Sequence, residues 1–224
     1  MSLAARPPLE TIARSVPLRA RIVSELRQAI EAGILKPGDR LVERDISRQL
    51  AVSRTTLREA LRVLHIDGVL VAAETRGLAV AGSSVRDANN AYQCRAALEA
   101  LIVEQFIERA DDDERWAVRE QGERLKLALA EGDIEEILAA KRDFYQMIGR
   151  GARNGLAFDL LANLVLRTSG IRYRSLARDE RKRQSIEEID LILRAIDKRD
   201  VAMARRAAFS HVASAAQFFA EEAG

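Results

Sequence analysis

"AVSRTTLREALRVL", residues 51–64, is the stretch on which the reading of this chain turns. Ser53 is a favourable N-cap, and the spacing predicts a helix from Arg54 to Asp67 that stops at Gly68. At about 100° per residue, with Arg54 at zero, Arg58 lies near 40°, Arg62 near 80° and Thr55 near 100°. Leu57, Ala60, Leu61 and Leu64 fall together between about 240° and 340°. One face is therefore built for a core, and the other presents arginines and a threonine. Charged faces are usually just solvated, so this helix alone does not establish a partner. Its neighbours add the weight. Ser53, Arg54 and Thr55 begin the helix, where unpaired backbone N–H groups and the helix dipole favour phosphate. Arginine can grip guanine with two hydrogen bonds, and threonine can meet a base edge or a thymine methyl.

Upstream, Leu18, Ile22, Leu26, Ala29 and Ile30 recur at helical spacing and predict a first helix from about Pro17 to Ala32. Gly33 ends it, and "KPGD" makes a turn. A second short helix covers Glu43 to Ala51, and the brief "AVS" link to the third suits a helix-turn-helix. Downstream, the apolar runs "VLVAA" and "LAVA" flank "ETRG" and read as a β-hairpin, with Arg76 and Gly77 at its tip. Three helices and a hairpin make a winged helix-turn-helix over residues 17–81. "GSSVRD" reads as a linker, placed at 82–86, to a second domain over 87–222. From residue 85 onward no strand is legible. Six helical segments follow, near 86–110, 112–131, 133–150, 155–177, 181–198 and 200–220, with breaks at "DDD", "EGD", "GARNG", "RDE" and "KRD". The fold class is mainly α: a winged helix-turn-helix followed by an all-α antiparallel bundle.

Composition agrees with a two-part protein. Of 224 residues, 48% are hydrophobic and 31% charged, enough for a real core, while only 4% are aromatic. The net charge of +2 argues for no partner by itself. Its distribution says more: residues 1–82 carry 13 Lys/Arg against 9 Asp/Glu, so the excess of positive charge lies in the helix-turn-helix half. The single cysteine, Cys94, permits no disulfide within the chain and reads as a small core side chain. No apolar run approaches the length of a membrane span. "MSLAARPPLETIARSVPL" lacks a signal-peptide core, and residues 1–16 read as a loose tail. A cytoplasmic protein is the expectation.

The stretch "AIEAGILKPGDRLVERDISRQLAVSRTTLREALRVLHIDGVLVAAETRGLAV" resembles the DNA-binding domain of the GntR family of bacterial transcription regulators. Its motifs are "G-x-L-x-P-G-x-x-L-x-E", "V-S-R-T-x-L-R-E-A-L" and the "D-G" before the hairpin. One departure is Ala51, where the family usually has Gly. The resemblance implies DNA contacts at Arg44, Ser53, Arg54, Thr55, Thr56 and Arg58, with Arg76 and Gly77 on the wing. The second half is similar to the FadR-type effector domain, FCD: "YQCRAALEALIVEQ" matches its first helix and "AIDKRDVAMARRAAFSHV" its last connection and helix. Six helices rather than seven bring it nearer the VanR-like branch.

Many FCD domains hold a metal with one Asp and three His, two of them in a D-x-x-F-H run. Here the run is "KRDFY", so Lys141 and Tyr145 replace two ligands, Ile189 replaces a third, and His211 alone remains. The resemblance therefore implies that this metal site is lost and that no cofactor is bound. Helical spacing still points these positions inward: Lys141 and Tyr145 share a stripe with Ile137, Leu138 and Ile148, and His211 lies among Ala204, Ala207, Ala208 and Ala215. Arg95 lies with Leu98, Ile102 and Phe106, and Arg172 also faces in. Inward cations need an anion. Glu99, one turn after Arg95, could serve; so could a small organic anion, such as a carboxylate, held by Arg95, Lys141, Tyr145, His211 and Arg172. Each residue also has a plainer reading, as a snorkelling lysine, an internal ion pair, a core tyrosine or a satisfied core histidine. The expected function is a ligand-responsive regulator that binds a near-palindromic operator as a homodimer and is released or repositioned by the anion. An architectural DNA-binding dimer without a ligand is the alternative. An enzyme using Lys141, Tyr145 and His211 is a second, for which no nucleophile–base spacing or cofactor motif speaks.

Overall fold

The computed structural model describes residues 17–73, 77–82 and 85–222. The predicted tail, Arg76 at the wing tip, and Ser83 and Ser84 of the predicted linker lie outside these residues. The helix-turn-helix half runs α1 (Leu18–Glu31), β1 (Arg40–Leu41), α2 (Glu43–Gln49), α3 (Arg54–Ile66), β2 (Leu70–Ala72) and β3 (Leu78–Val80). The apolar stripe of α3 is fully used: Leu57, Ala60, Leu61 and Leu64 are buried against Ile22, Leu26 and Ile30 of α1. Ser53 caps the helix, its hydroxyl accepting from the Thr56 N–H at 3.1 Å. The turn between α2 and α3 passes through Ala51 at φ +52, a left-handed conformation in which the Cβ is crowded.

The hairpin is antiparallel, pairing Leu70 with Val80 and Ala72 with Leu78. It carries a third strand that the sequence does not announce. Arg40 and Leu41 pair with Ala79 and Leu78, so the wing is a sheet of order β1-β3-β2. Two residues are too few to show alternation.

The bundle contains seven helices among the described residues, not six: α4 (Val85–Arg109), α5 (Asp112–Glu131), α6 (Ile134–Gly151), α7 (Gly155–Arg167), α8 (Ser169–Leu176), α9 (Asp179–Asp197) and α10 (Val201–Glu222). The segment read as one helix over 155–177 breaks at Thr168. Its hydroxyl bonds back to the Leu164 carbonyl at 2.9 Å, and Ser169 and Gly170 follow, all weak helix residues. Helix count therefore gives no reason to prefer a six-helix branch. α4 begins at Val85, inside the stretch read as linker. The "DDD" and "EGD" breaks are reciprocal caps: Asp111 with Glu114, and Asp133 with Glu136.

α10 packs against α4 and α9, and α5 against α6 and α9, around a core that includes Phe106, Leu125, Phe144, Ile148 and Ile192. The two halves touch through α7 and α8. Leu166 enters the core of the helix-turn-helix, Tyr173 lies against Gly33, and Arg167 Nη2 donates to the Asp67 carbonyl at 3.3 Å. The side of α7 that faces α1 is also a wall of the cavity described next.

Candidate functional site

On α3, Arg54, Thr55 and Arg58 are exposed together at the helix start. Ser53 and Thr56 are tied to each other, oxygen to oxygen at 2.8 Å, and serve to fix that start. Arg58 Nε donates to Glu43 Oε2 at 2.7 Å, and Arg44 Nε to Asp45 Oδ1 at 3.1 Å. Pairs this exposed are weak in water, so a phosphate can exchange for either carboxylate. Gly77, at φ +92, immediately precedes the returning strand of the wing. Arg58 and Gly77 line one groove with Arg40 and Glu43, so the structure adds Arg40 of β1 to the basic face. Arg76 lies outside the described residues.

The second site is a cavity of about 220 Å³ between the bundle and α1. Arg95 and Glu99 of α4, Lys141 and Tyr145 of α6, and Arg172 of α8 line it on the bundle side. Phe158, Leu161 and Val165 of α7 make its apolar wall, and Glu31 of α1 faces it from the other half. Arg95 is held at both ends of its guanidinium: Nη2 donates to Glu99 Oε1 at 2.9 Å, and Nη1 to the Thr168 hydroxyl at 3.2 Å. The hydroxyl that breaks the α7–α8 helix thus also positions Arg95. Burial works against the charge of this pair, yet attraction prevails: the arginine pKa is raised and the Glu99 carboxyl lowered from their usual values. Burial, with the Glu99 charge beside it, pushes the Tyr145 phenol well up.

His211 sits behind Lys141, on a small void shared with Arg95, Arg172 and Arg181, rather than on the wall of the larger cavity. Its Nδ1 lies 2.6 Å from Glu188 Oε2, and its Nε2 3.1 Å from Lys141 Nζ. A carboxylate only accepts, so Nδ1 carries the proton and Nε2 accepts from Lys141. Burial and the Lys141 charge push the His211 pKa down to about 4, leaving the ring neutral at pH 7. Burial, then the Arg181 and Arg172 charges, pull the Lys141 amine well below its usual range.

A divalent metal does not fit this arrangement. The Nε2 lone pair that would bind it is occupied by Lys141, and Arg95, Arg172 and Arg181 surround the place. Ile189 is fully buried in the main apolar core. Among the described residues no three His, Cys, Asp or Glu side chains converge.

Three residues of the site escape the sequence reading. Arg181 Nη1 donates to Glu188 Oε2 at 2.8 Å, and Nη2 to the His211 carbonyl at 3.2 Å. Arg181 and Glu188 stand seven apart on α9, one face of a helix, so the period held that signal. Glu31, whose Oε1 lies 3.6 Å from Arg172 Nη1, left none, because the contact joins separate domains.

A basic helix-turn-helix with a wing, joined to a helical bundle around a charged cavity, defines the class of two-part winged-helix transcription regulators. Comparison with known proteins agrees. Residues 18–80 match the bacterial regulatory proteins of the gntR family, and residues 90–214 match the FCD domain. The chain belongs to the gntR family of regulators and carries an FCD domain as its second half. It is 26% identical over 199 residues to the HTH-type transcriptional regulator YdhC of Bacillus subtilis, covering 88% of this chain and 89% of that one. It is 27% identical over 189 residues to the HTH-type transcriptional regulator McbR of Escherichia coli, covering 84% and 86%. The solved structure of Escherichia coli McbR superimposes with a TM-score of 0.85 at 23% identity, covering 94% of this chain and all of that one, and shares its fold. These relatives are named as transcriptional regulators, not as enzymes. No helix among the described residues is long and apolar enough to cross a membrane.

Proposed function

We propose that this regulator acts as a cytoplasmic homodimer that reads a near-palindromic operator and changes its hold when a small organic anion enters the cavity. Residues 17–81 would form the reader and 87–222 the sensing and dimerising bundle. Two copies of α3 would enter successive major grooves, with Arg44, Arg54, Thr55 and Arg58 toward DNA and the Arg76–Gly77 tip on the backbone or minor groove. Ser53 and Thr56 would set the helix start that meets phosphate. Arg95, Lys141 and Arg172 would hold the anion, with Tyr145 beside them and His211 supporting Lys141 from behind. The ligand would be held without a divalent metal.

One observation carries the reading. Among the described residues, Arg95, Lys141, Arg172 and Arg181 are buried around this region, against only Glu99, Glu188 and Glu31. Lys141 is the cation without a carboxylate, and it lines the cavity. A buried cation without a counter-charge is unfavourable, and a bound carboxylate supplies one. The test is calorimetric titration of the full-length protein with small mono-, di- and tricarboxylates in buffer containing EDTA. Saturable binding at one site per chain supports the sensor. No binding by any of them refutes it and leaves an architectural DNA-binding dimer.

A further inference from the structure

The cavity is closed on one side by the DNA-binding half itself. Ser24, Arg27, Gln28 and Glu31 of α1 face into it. Glu31 is the last residue of α1, and its Oε1 stands 3.6 Å from Arg172 Nη1. Both side chains are largely buried, 15% and 9% exposed. At that distance they attract by charge but form no hydrogen bond, and Arg172 Nη1 has no other acceptor. A buried guanidinium donor is thus left unfilled in the wall of a ligand-sized space, with a carboxylate of the other domain standing just short of it. The facing wall is apolar, made by Phe158, Leu161 and Val165. At about 220 Å³ the space falls below the roughly 300–1,000 Å³ typical of larger ligand sites.

We infer that the cavity binds a small monocarboxylate with an apolar body, whose carboxylate takes Arg172 from Glu31, and that this exchange is what moves the DNA-binding half. The inference rests on the anion-sensor reading above and adds the ligand class and the contact it breaks. An apolar body lies along α7 while the carboxylate reaches the unfilled donor with the two-pronged geometry that arginine favours. Glu31 is then left buried beside a like charge with its cation engaged, an arrangement that is strongly unfavourable. It relaxes if the DNA-binding half swings away from the bundle and Glu31 reaches water. α1 also carries Arg27, whose Nη2 holds Asp67 Oδ2 at 2.6 Å, and Asp67 caps the end of α3. α1 and α3 share one apolar core, so α1 moves with the whole DNA-binding half and carries the recognition helix with it. Glu31 acts in the empty protein as an internal stand-in for the ligand's carboxylate.

The experiment compares wild type with Glu31→Gln, which keeps the side chain's size and removes its charge. Both full-length proteins are titrated calorimetrically with benzoate and hexanoate, with acetate, benzamide and citrate as controls, after circular dichroism shows equal helix content. Removing the competitor is expected to tighten benzoate binding at least fivefold, within the usual range of coupling between sites. Acetate, which lacks the apolar body, and benzamide, which lacks the charge, are expected to bind at least tenfold more weakly than benzoate. Benzoate binding to Glu31→Gln with unchanged or weaker affinity overturns the exchange while the anion sensor stands. Citrate binding where neither monocarboxylate does, or benzamide matching benzoate, overturns the ligand class. No binding by any carboxylate to either protein overturns the sensor reading itself.

Discussion

The buried His211 makes stability depend on pH in a way that can be computed. In the unfolded chain its pKa is the ordinary 6.5, and in the folded protein burial and Lys141 push it down to about 4. Between these values the unfolded state binds a proton that the folded state refuses, so stability is lost as pH falls through this window. From pH 7 to pH 5 the difference amounts to about 2 kcal/mol, at 1.36 kcal/mol per pKa unit. Glutamine at position 211 has no such proton to bind. The measurement is urea unfolding of wild type and His211→Gln at pH 7, 6 and 5, followed by circular dichroism. Subtracting one protein from the other cancels the carboxylates remote from position 211, while Glu188, whose carboxyl His211 helps hold down, adds to the wild-type loss in the same direction. Wild type should lose about 2 kcal/mol more than His211→Gln across that range. Equal losses in the two proteins would show that His211 is not held neutral in the bundle, and the Glu188–His211–Lys141 arrangement would be wrong.

Other outcomes follow from the same geometry. Ala51→Gly, which relieves the left-handed turn at φ +52, should stabilise the protein by about 1 kcal/mol and raise Tm by about 2–4 °C, read by calorimetry. An unchanged or lowered Tm would mean that the turn is unstrained. Arg54→Ala and Arg58→Ala should each weaken binding to an operator selected from random DNA by about 1–3 kcal/mol, measured by fluorescence anisotropy at fixed salt. If neither substitution moves affinity or salt dependence, another surface reads DNA. Zinc, nickel and manganese should leave Tm unshifted, whereas tight binding of any of them at one ion per chain would contradict the assignment of His211 Nε2 to Lys141.

Local signals decided how much could be read in advance. The α3 stripe, the Ser53 cap and the breaks at "DDD" and "EGD" are fixed by residues within a few positions of one another and were legible, whereas the reciprocal caps that make those breaks, at Asp111 and Asp133, are added by the structure. β1 was not, because two residues carry no period and gain their form by pairing with Leu78 and Ala79. The break at Thr168 was hidden because a threonine is tolerated in helices. It becomes a break here because the hydroxyl bonds back to Leu164 and the buried Arg95 donates to it from another helix. Inward positions for Arg95, Lys141 and Arg172 were correct, since helical spacing sets them. Their partners were harder. Glu99 lies one turn away and was visible, Arg181 with Glu188 lay in the α9 period but beside the family position at Ile189, and Glu31 depends on how two domains dock.

The central claim is that occupancy of the cavity changes the hold on DNA. Its most direct measurement is the Kd of the full-length protein for its selected operator, by fluorescence anisotropy at one salt concentration, with and without a saturating carboxylate shown by calorimetry to bind. A shift of fivefold or more, the ordinary scale of coupling between two sites, is the predicted result. An identical Kd with the cavity filled would contradict the account.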